Sequence, residues 1–205
     1  LQWNSGYAQT SFHTAGLSRV LAVKSAIAQG GEPVFEQVDY RNLQFNPFTM
    51  IGDDACLITA GTPEGWNTMA ASWGSMGFLW GKPVCIVFVR DSRHTYGFIE
   101  QAEGFTMSFF PPEWRRAIDF CGTHSGRDTD KAAKTGLVPV TIEGPADTRR
   151  VTFQQANMVF CCTKAARLPF DPSQFILPSI DEHYPQHDYH RMYIGYVDQV
   201  LIQEA

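Results

Sequence analysis

A chain of 205 residues and 23.0 kDa is the size of one domain, or of one domain with an extension, and can bury a substantial core. A net charge of -5 and a pI near 5.6 argue against nucleic-acid partners, although a local cluster of cations can still hold a single phosphate group. No stretch approaches the roughly 20 apolar residues of a membrane span, so no membrane partner is expected.

Charged residues are 18% of the chain and aromatic residues 13%, which leaves ring surface for a subunit interface or a flat ligand beyond what a core needs. The five cysteines, Cys56, Cys85, Cys121, Cys161 and Cys162, show no C-x-x-C spacing and mostly fall in apolar runs. They read as buried, inert thiols in a reducing, cytoplasmic compartment.

Residues 1–31 contain no Asp or Glu and carry Arg19 and Lys24, with a helix-like run over 17–29 that ends in Gly30-Gly31. They read as an N-terminal extension packed on the domain or on a partner subunit, with a transit-like segment as the alternative. Residues 32–205 form the domain. Ala55-Cys56-Leu57-Ile58-Thr59-Ala60 predicts a buried strand, Thr62-Pro63-Glu64-Gly65 a turn, and Trp66 onward a returning strand. Residues 84–89 predict a central strand, and 105–110, 157–164 and 190–203 further strands. Helices are expected from a Thr95 cap to about Gln101, over 111–121, and over 128–135 with Gly136 as the terminating glycine. Many strands with few short helices indicate a mainly β fold, a barrel or sandwich with α additions, and no G-x-G-x-x-G is present.

Three segments carry chemistry. Asn67-Thr68-Met69-Ala70-Ala71-Ser72-Trp73-Gly74 places small and polar residues where a core strand would carry Val or Ile. Small side chains let a planar ligand approach backbone amides closely; an edge strand with a polar face is the structural alternative. Arg90-Asp91-Ser92-Arg93-His94-Thr95 offers Arg90, Arg93 and the Thr95 hydroxyl to phosphate oxygens, or surface pairs with Asp91 or Glu100. Ser125-Gly126-Arg127-Asp128-Thr129-Asp130-Lys131 combines a turn, a hydroxyl and two cations at a helix start, a pattern shared by phosphate sites and by ordinary caps. Together they describe a phosphate clamp, a run of hydroxyls and amides and a flat cleft, as FMN requires; pyridoxal phosphate or another aromatic phosphate ester also satisfies them. His183, His187, Asp188 and His190 lack the spacing of a helix-borne metal pair, and no metal is expected.

These three segments, with Asp188-Tyr189-His190-Arg191-Met192-Tyr193-Ile194-Gly195, occur in the order seen in the flavoredoxin branch of the flavin reductase-like, FMN-binding split-barrel family, which the chain resembles from about Phe35 onward. The resemblance implies a six-stranded split barrel, a homodimer with FMN near the subunit interface, and electron transfer through the flavin N5 edge. It implies that Asn67, Thr68, Met69, Ala71, Ser72 and Trp73 line the ring and ribityl chain, while Arg90, Arg93, Thr95, Ser125, Gly126, Arg127 and Lys131 hold the phosphate side. No catalytic side chain is required, because the cofactor carries the chemistry. The expected activity is that of an NAD(P)H-dependent flavin oxidoreductase passing electrons to an acceptor. The alternative is a flavoredoxin-type carrier reduced by a redox partner protein.

Overall fold

The computed structural model describes residues 35–203; the expected extension over residues 1–31 lies outside the described residues. In chain order the elements are β1 (Glu36–Val38), α1 (Pro47–Gly52), β2 (Cys56–Thr62), β3 (Gly65–Ala71), β4 (Gly74–Leu79), β5 (Lys82–Arg90), α2 (His94–Gln101), β6 (Gly104–Phe109), α3 (Arg115–Thr123), α4 (Lys131–Thr135), β7 (Pro139–Glu143), β8 (Arg149–Phe153), β9 (Met158–Pro169) and β10 (His190–Ile202). All six strands expected from the sequence are present, as β2, β3, β5, β6, β9 and β10. The expected Thr62 to Gly65 turn closes the β2–β3 hairpin, pairing those two residues.

The main sheet is antiparallel, with strand order β3-β2-β6-β9-β10-β5-β4 and β1 paired to the C-terminal half of β10. Its two ends, β3 and β4, are separated in sequence only by Ser72 and Trp73. Counted as one interrupted stave, β3 and β4 close a six-stranded barrel that is split where the stave breaks. β7 and β8 form a separate two-stranded sheet.

Strand alternation sorts the core into two parts. Cys56, Ile58 and Ala60 of β2, Val87 and Val89 of β5, and Phe105, Met107 and Phe109 of β6 pack in one cluster with Phe160 and Tyr193. The opposite faces of β2 and β9 give Leu57, Val159 and Cys161 to a second cluster with Ile118 and Cys121 of α3 and Phe153 of β8. Each fully buried Val, Leu, Ile or Phe contributes about 1.5–3 kcal/mol, so these alternating runs hold the main sheet together and fix α3 and β8 against it. All five cysteines are free and buried. Burial pushes the Cys56 thiol up to about 12 and Cys121 up to about 11, which keeps both protonated at neutral pH.

The helices depart from the sequence reading in ways that shape the site. The segment read as one helix from Pro111 begins as a 3-10 turn, Pro112–Trp114, before α3, because two successive prolines have fixed φ and no N–H to donate. α4 starts at Lys131 instead of Asp128: the Asp130 carboxylate accepts the Ala133 N–H at 3.0 Å and sets the first turn. Gly136 ends it in the left-handed conformation, φ 76°, as expected. α2 starts at His94 with Arg93 at its N-cap position, and Thr95 does not cap it. No helix among the described residues is long and apolar enough to cross a membrane.

Candidate functional site

β3 is an edge strand, and two helical elements converge on it. α3 packs over β3, α2 touches it from the other side, and the turn at residues 125–128 closes the gap between them. There the chain encloses a cavity of about 220 Å³. Arg93, Arg127 and Lys131 all line it, and its lining includes no Asp or Glu. Among the described residues, no carboxylate pairs with any of these three cations. In a chain of net charge -5, that is a concentrated local field for an anion.

Lys131 is buried, and its ammonium donates to the Thr68 carbonyl at 2.7 Å and the Cys121 carbonyl at 2.8 Å. Burial holds its pKa below the ordinary lysine value, and the nearby Arg93 acts in the same direction. Two of its three N–H bonds are thus used in tying β3 to α3, and one is left on an ammonium that lines the cavity. Asn67 is buried beside it and donates to Thr95 Oγ1 at 2.7 Å, which joins β3 to the first turn of α2. Gly126 is required by this packing, because a Cβ there would stand 2.0 Å from Asn67 Oδ1. The turn is closed by Asp128 N–H donating to the Ser125 carbonyl at 3.3 Å, with Arg127 N–H donating to Ser125 Oγ at 3.2 Å.

From this pocket a groove follows β3. A second cavity of about 380 Å³ shares Ala70, Gly122 and Thr123 with the first, and its only charged pair, Arg115 with Asp119 at 3.0 Å, is self-neutralising. A third, of about 470 Å³, shares Gly52 and Ser72 with the second and lies at the split of the barrel. Trp73, Phe48, Phe88, Phe170 and Tyr184 line it, with no Lys, Arg, Asp or Glu. The groove therefore runs from a cationic pocket, past small side chains, to an aromatic cleft.

The structure brings Asn67, Met69, Arg93, Thr95, Ser125, Gly126, Arg127 and Lys131 to the cationic pocket, Ala71 and Ser72 to the middle, and Trp73 to the aromatic cleft. Thr68 contributes its carbonyl, while its hydroxyl faces Thr59 Oγ1 at 2.9 Å. Arg90 does not join them. Its guanidinium donates to Asp188 Oδ1 at 3.0 Å and the His183 carbonyl at 3.1 Å, and lies 5.0 Å from the centre of the Tyr184 ring. Burial opposes ionisation of Asp188, yet the Ser92 hydroxyl and Arg90 hold its carboxyl below the usual range. The same corner holds His190, within 2.9 Å of Tyr184 Oη; burial and then the Arg90 charge push it down to about 4. Asp188 and His190 are thus engaged by protein groups, as are Asp181 and His187, both within 3.0 Å of Tyr189 Oη.

The sequence reading missed the C-terminal turn of α3. Gly122, Thr123 and His124 line the cationic pocket, and Phe170 and Tyr184 line the aromatic cleft. Their residue types carry no phosphate or ring signal of their own, and only the packing of α3 over β3 brings them in. The adjacency of His124 to Ser125 was the available clue.

A family model, the flavin reductase like domain, matches residues 51–205. The flavoredoxin of Desulfovibrio vulgaris (Miyazaki F) has a similar structure, with a TM-score of 0.56 at 22% identity over 73% of this chain and 69% of that one. An FMN-binding protein from Thermus thermophilus with bound p-hydroxybenzaldehyde gives 0.56 at 21% identity, over 89% and 83%. Nitrilotriacetate monooxygenase component B from Bacillus cereus gives 0.56 at 16%, over 73% and 69%. No curated protein matches.

Proposed function

The chain belongs to the flavin reductase like domain family, and from that premise we propose that it binds FMN along β3 and works as a flavin oxidoreductase reduced by NAD(P)H. The observation that carries this reading is the continuous groove from an acid-free pocket lined by three cations to an uncharged aromatic cleft. The donor set suits the group. Arg93, Arg127 and Lys131 would hold the phosphate, Asn67 and the Ala70 to Ser72 backbone would follow the ribityl chain, and Trp73 would border the ring. Pyridoxal phosphate matches only the cationic end of such a groove.

Bound FMN would supply hydride acceptance and one- or two-electron transfer. The chain's own part is to anchor the phosphate, to keep carboxylates away from it, and to shield one face with aromatic side chains. A homodimer belongs to this reading. Phe78 and Trp80, 65% and 57% exposed, stand at the end of the edge strand β4, and Leu168 and Leu177 are also exposed. Apolar surface of this kind on an edge strand fits a subunit contact.

A specific observation favours a second reading, a flavoredoxin-type carrier reduced by a partner protein. The aromatic cleft offers no Lys or Arg to grip the pyrophosphate of a nicotinamide dinucleotide. The test is the visible spectrum of the purified protein followed by anaerobic mixing with NADH and NADPH. A flavin band that bleaches on a catalytic timescale is expected. A flavin band that neither nucleotide bleaches would establish the carrier reading, and a protein that neither contains nor takes up FMN would refute both.

A further inference from the structure

The cationic pocket contains two imidazoles besides its three cations, and one of them is fixed in a single tautomer. His124 follows α3, with its ring stacked on Phe120 at 3.8 Å between centroids and 11° between planes. Its Nδ1 lies 3.2 Å from the Phe120 carbonyl oxygen and 3.0 Å from Thr123 Oγ1. A carbonyl only accepts, and the Thr123 hydroxyl already donates to the Asp119 carbonyl at 2.9 Å. Nδ1 therefore carries the proton, and in the neutral ring Nε2 presents a lone pair.

A lone pair cannot bind a phosphate oxygen, whereas an Nε2–H donates to one and adds a positive charge. The charged and titratable groups that share the pocket with His124 are Arg93 and His94 from the α2 side, Arg127 from the turn and Lys131 from α4, beside the buried Cys121 thiol of α3. The nearby acids are turned to other work or stand off. Asp119 pairs with Arg115, the Asp130 carboxylate caps α4, and Asp128 is not part of the lining. His94 is less constrained: its ring sits edge-on to Phe98 at 5.1 Å, and among the described residues neither ring nitrogen has a hydrogen-bond partner.

We propose that His124 is a phosphate ligand of this pocket that acts only as the imidazolium, so that a phosphate dianion enters together with a proton taken onto Nε2. The inference rests on the FMN reading and deepens it by making flavin affinity proton-linked. The dianion offsets the three cations, and the fixed Nδ1–H leaves Nε2 as the one ring position where the accompanying proton can be held.

The experiment is calorimetric titration of the flavin-free full chain with FMN at pH 7.5 in two phosphate-free buffers of different ionisation enthalpy. FMN is mainly the dianion there, because its second phosphate proton titrates near pH 6. Net proton uptake on FMN binding is expected. In His124→Gln the uptake should vanish and affinity at pH 6.5 fall about tenfold, while His94→Gln keeps the uptake. Inorganic phosphate should also show uptake, lessened by the proton that its own monoanion releases, and riboflavin, having no phosphate, none. FMN binding without proton uptake, or uptake that persists in His124→Gln, overturns this inference and leaves the FMN reading standing. No binding of FMN at all overturns both.

Discussion

Replacing Lys131 by Met tests the cationic pocket and the joint between β3 and α3 together. The ammonium makes two short hydrogen bonds, 2.7 Å to the Thr68 carbonyl and 2.8 Å to the Cys121 carbonyl, at a side chain only 6% exposed. Hydrogen bonds from a charged donor contribute about 1.5–3 kcal/mol each; the Cys121 carbonyl loses its side-chain donor, while the Thr68 carbonyl keeps the Asn67 amide N–H at 3.3 Å. In the opposite direction, burial already holds the Lys131 pKa below its ordinary 10.5, so removing the charge relieves a desolvation penalty. Met has a similar length and leaves little cavity. The balance is a net loss of about 2–3 kcal/mol, which lowers Tm by roughly 5–10 °C in a chain of this size.

A second signature follows from the same group. A folded-state lysine with a depressed pKa binds fewer protons than the unfolded chain, so its presence makes stability rise as pH climbs toward 10.5. In Lys131→Met that alkaline rise should be absent. FMN affinity should fall roughly ten- to a hundredfold as one charge-assisted contact is lost. The assays are scanning calorimetry between pH 7 and 10 and flavin fluorescence quenching. Wild-type Tm, alkaline slope and FMN affinity, all unchanged, would refute the argument; a lower Tm with unchanged affinity would reduce Lys131 to a structural tie. From the turn alone, Lys131 reads as a ligand whose loss leaves the fold intact; the two backbone carbonyls it holds make it part of the fold as well.

Arg93→Gln and Arg127→Gln should each weaken FMN about tenfold with little change in Tm, because neither cation pairs with a carboxylate among the described residues and Arg127 makes only an exposed contact with the Ser92 carbonyl at 3.3 Å. Arg90→Gln should do the reverse: it breaks a partly buried pair with Asp188 and should lower stability by about 1–3 kcal/mol while leaving FMN affinity near wild type. If titration shows all three affecting affinity alike, the division between pocket and strut is mistaken. Gly126→Ala must move Asn67, since the new Cβ would sit 2.0 Å from its Oδ1. Loss of flavin binding in a folded protein by circular dichroism is expected, and wild-type binding would show that the turn yields freely. His190 titrates at 6.5 when unfolded and about 4 when folded, so the stability that its neutral form contributes is complete above pH 6.5 and lost as pH falls toward 4. Acid melts of His190→Gln should show a shallower decline than wild type, and identical pH dependence would contradict the buried, Arg90-flanked setting.

The barrel was legible wherever strands are flanked on both sides. β5 and β2 are largely apolar runs, and β10 is long and rich in β-forming residues even though two register shifts interrupt its alternation, so hydrophobic burial announces them. β4 was not legible. Gly74-Ser75-Met76-Gly77-Phe78-Leu79 has two glycines and no β-branched residue, and its strand conformation comes from pairing with β5 across a turn at Trp80 and Gly81. β7 and β8 escaped for a related reason: their pairing is mutual, and neither run is long enough to declare itself. The site was half legible. Hydroxyls, amides and cations on β3 and in the 125–131 turn carry chemistry in their residue types, whereas Arg90 and Lys131 depend on partners 98 and 63 residues away. Local sequence cannot tell a cation reserved for a ligand from one already committed to the fold.

The interrupted stave works as a measuring rod. Asn67 in the cationic pocket and Trp73 at the aromatic cleft lie six residues apart on the same stretch of backbone, which at about 3.3 Å per residue can reach at most roughly 20 Å. The distance between anion and ring is therefore written in residues, and neither end can drift without the other. Deleting one residue between them would shorten the rod by one step and also invert which side chains face the groove, since the two faces of a strand alternate. Insertions at the 62–65 hairpin turn would leave this spacing untouched. The segment can thus vary in side-chain identity far more readily than in length, and a ligand with a shorter or longer tether between its phosphate and its ring would fail to reach both ends at once.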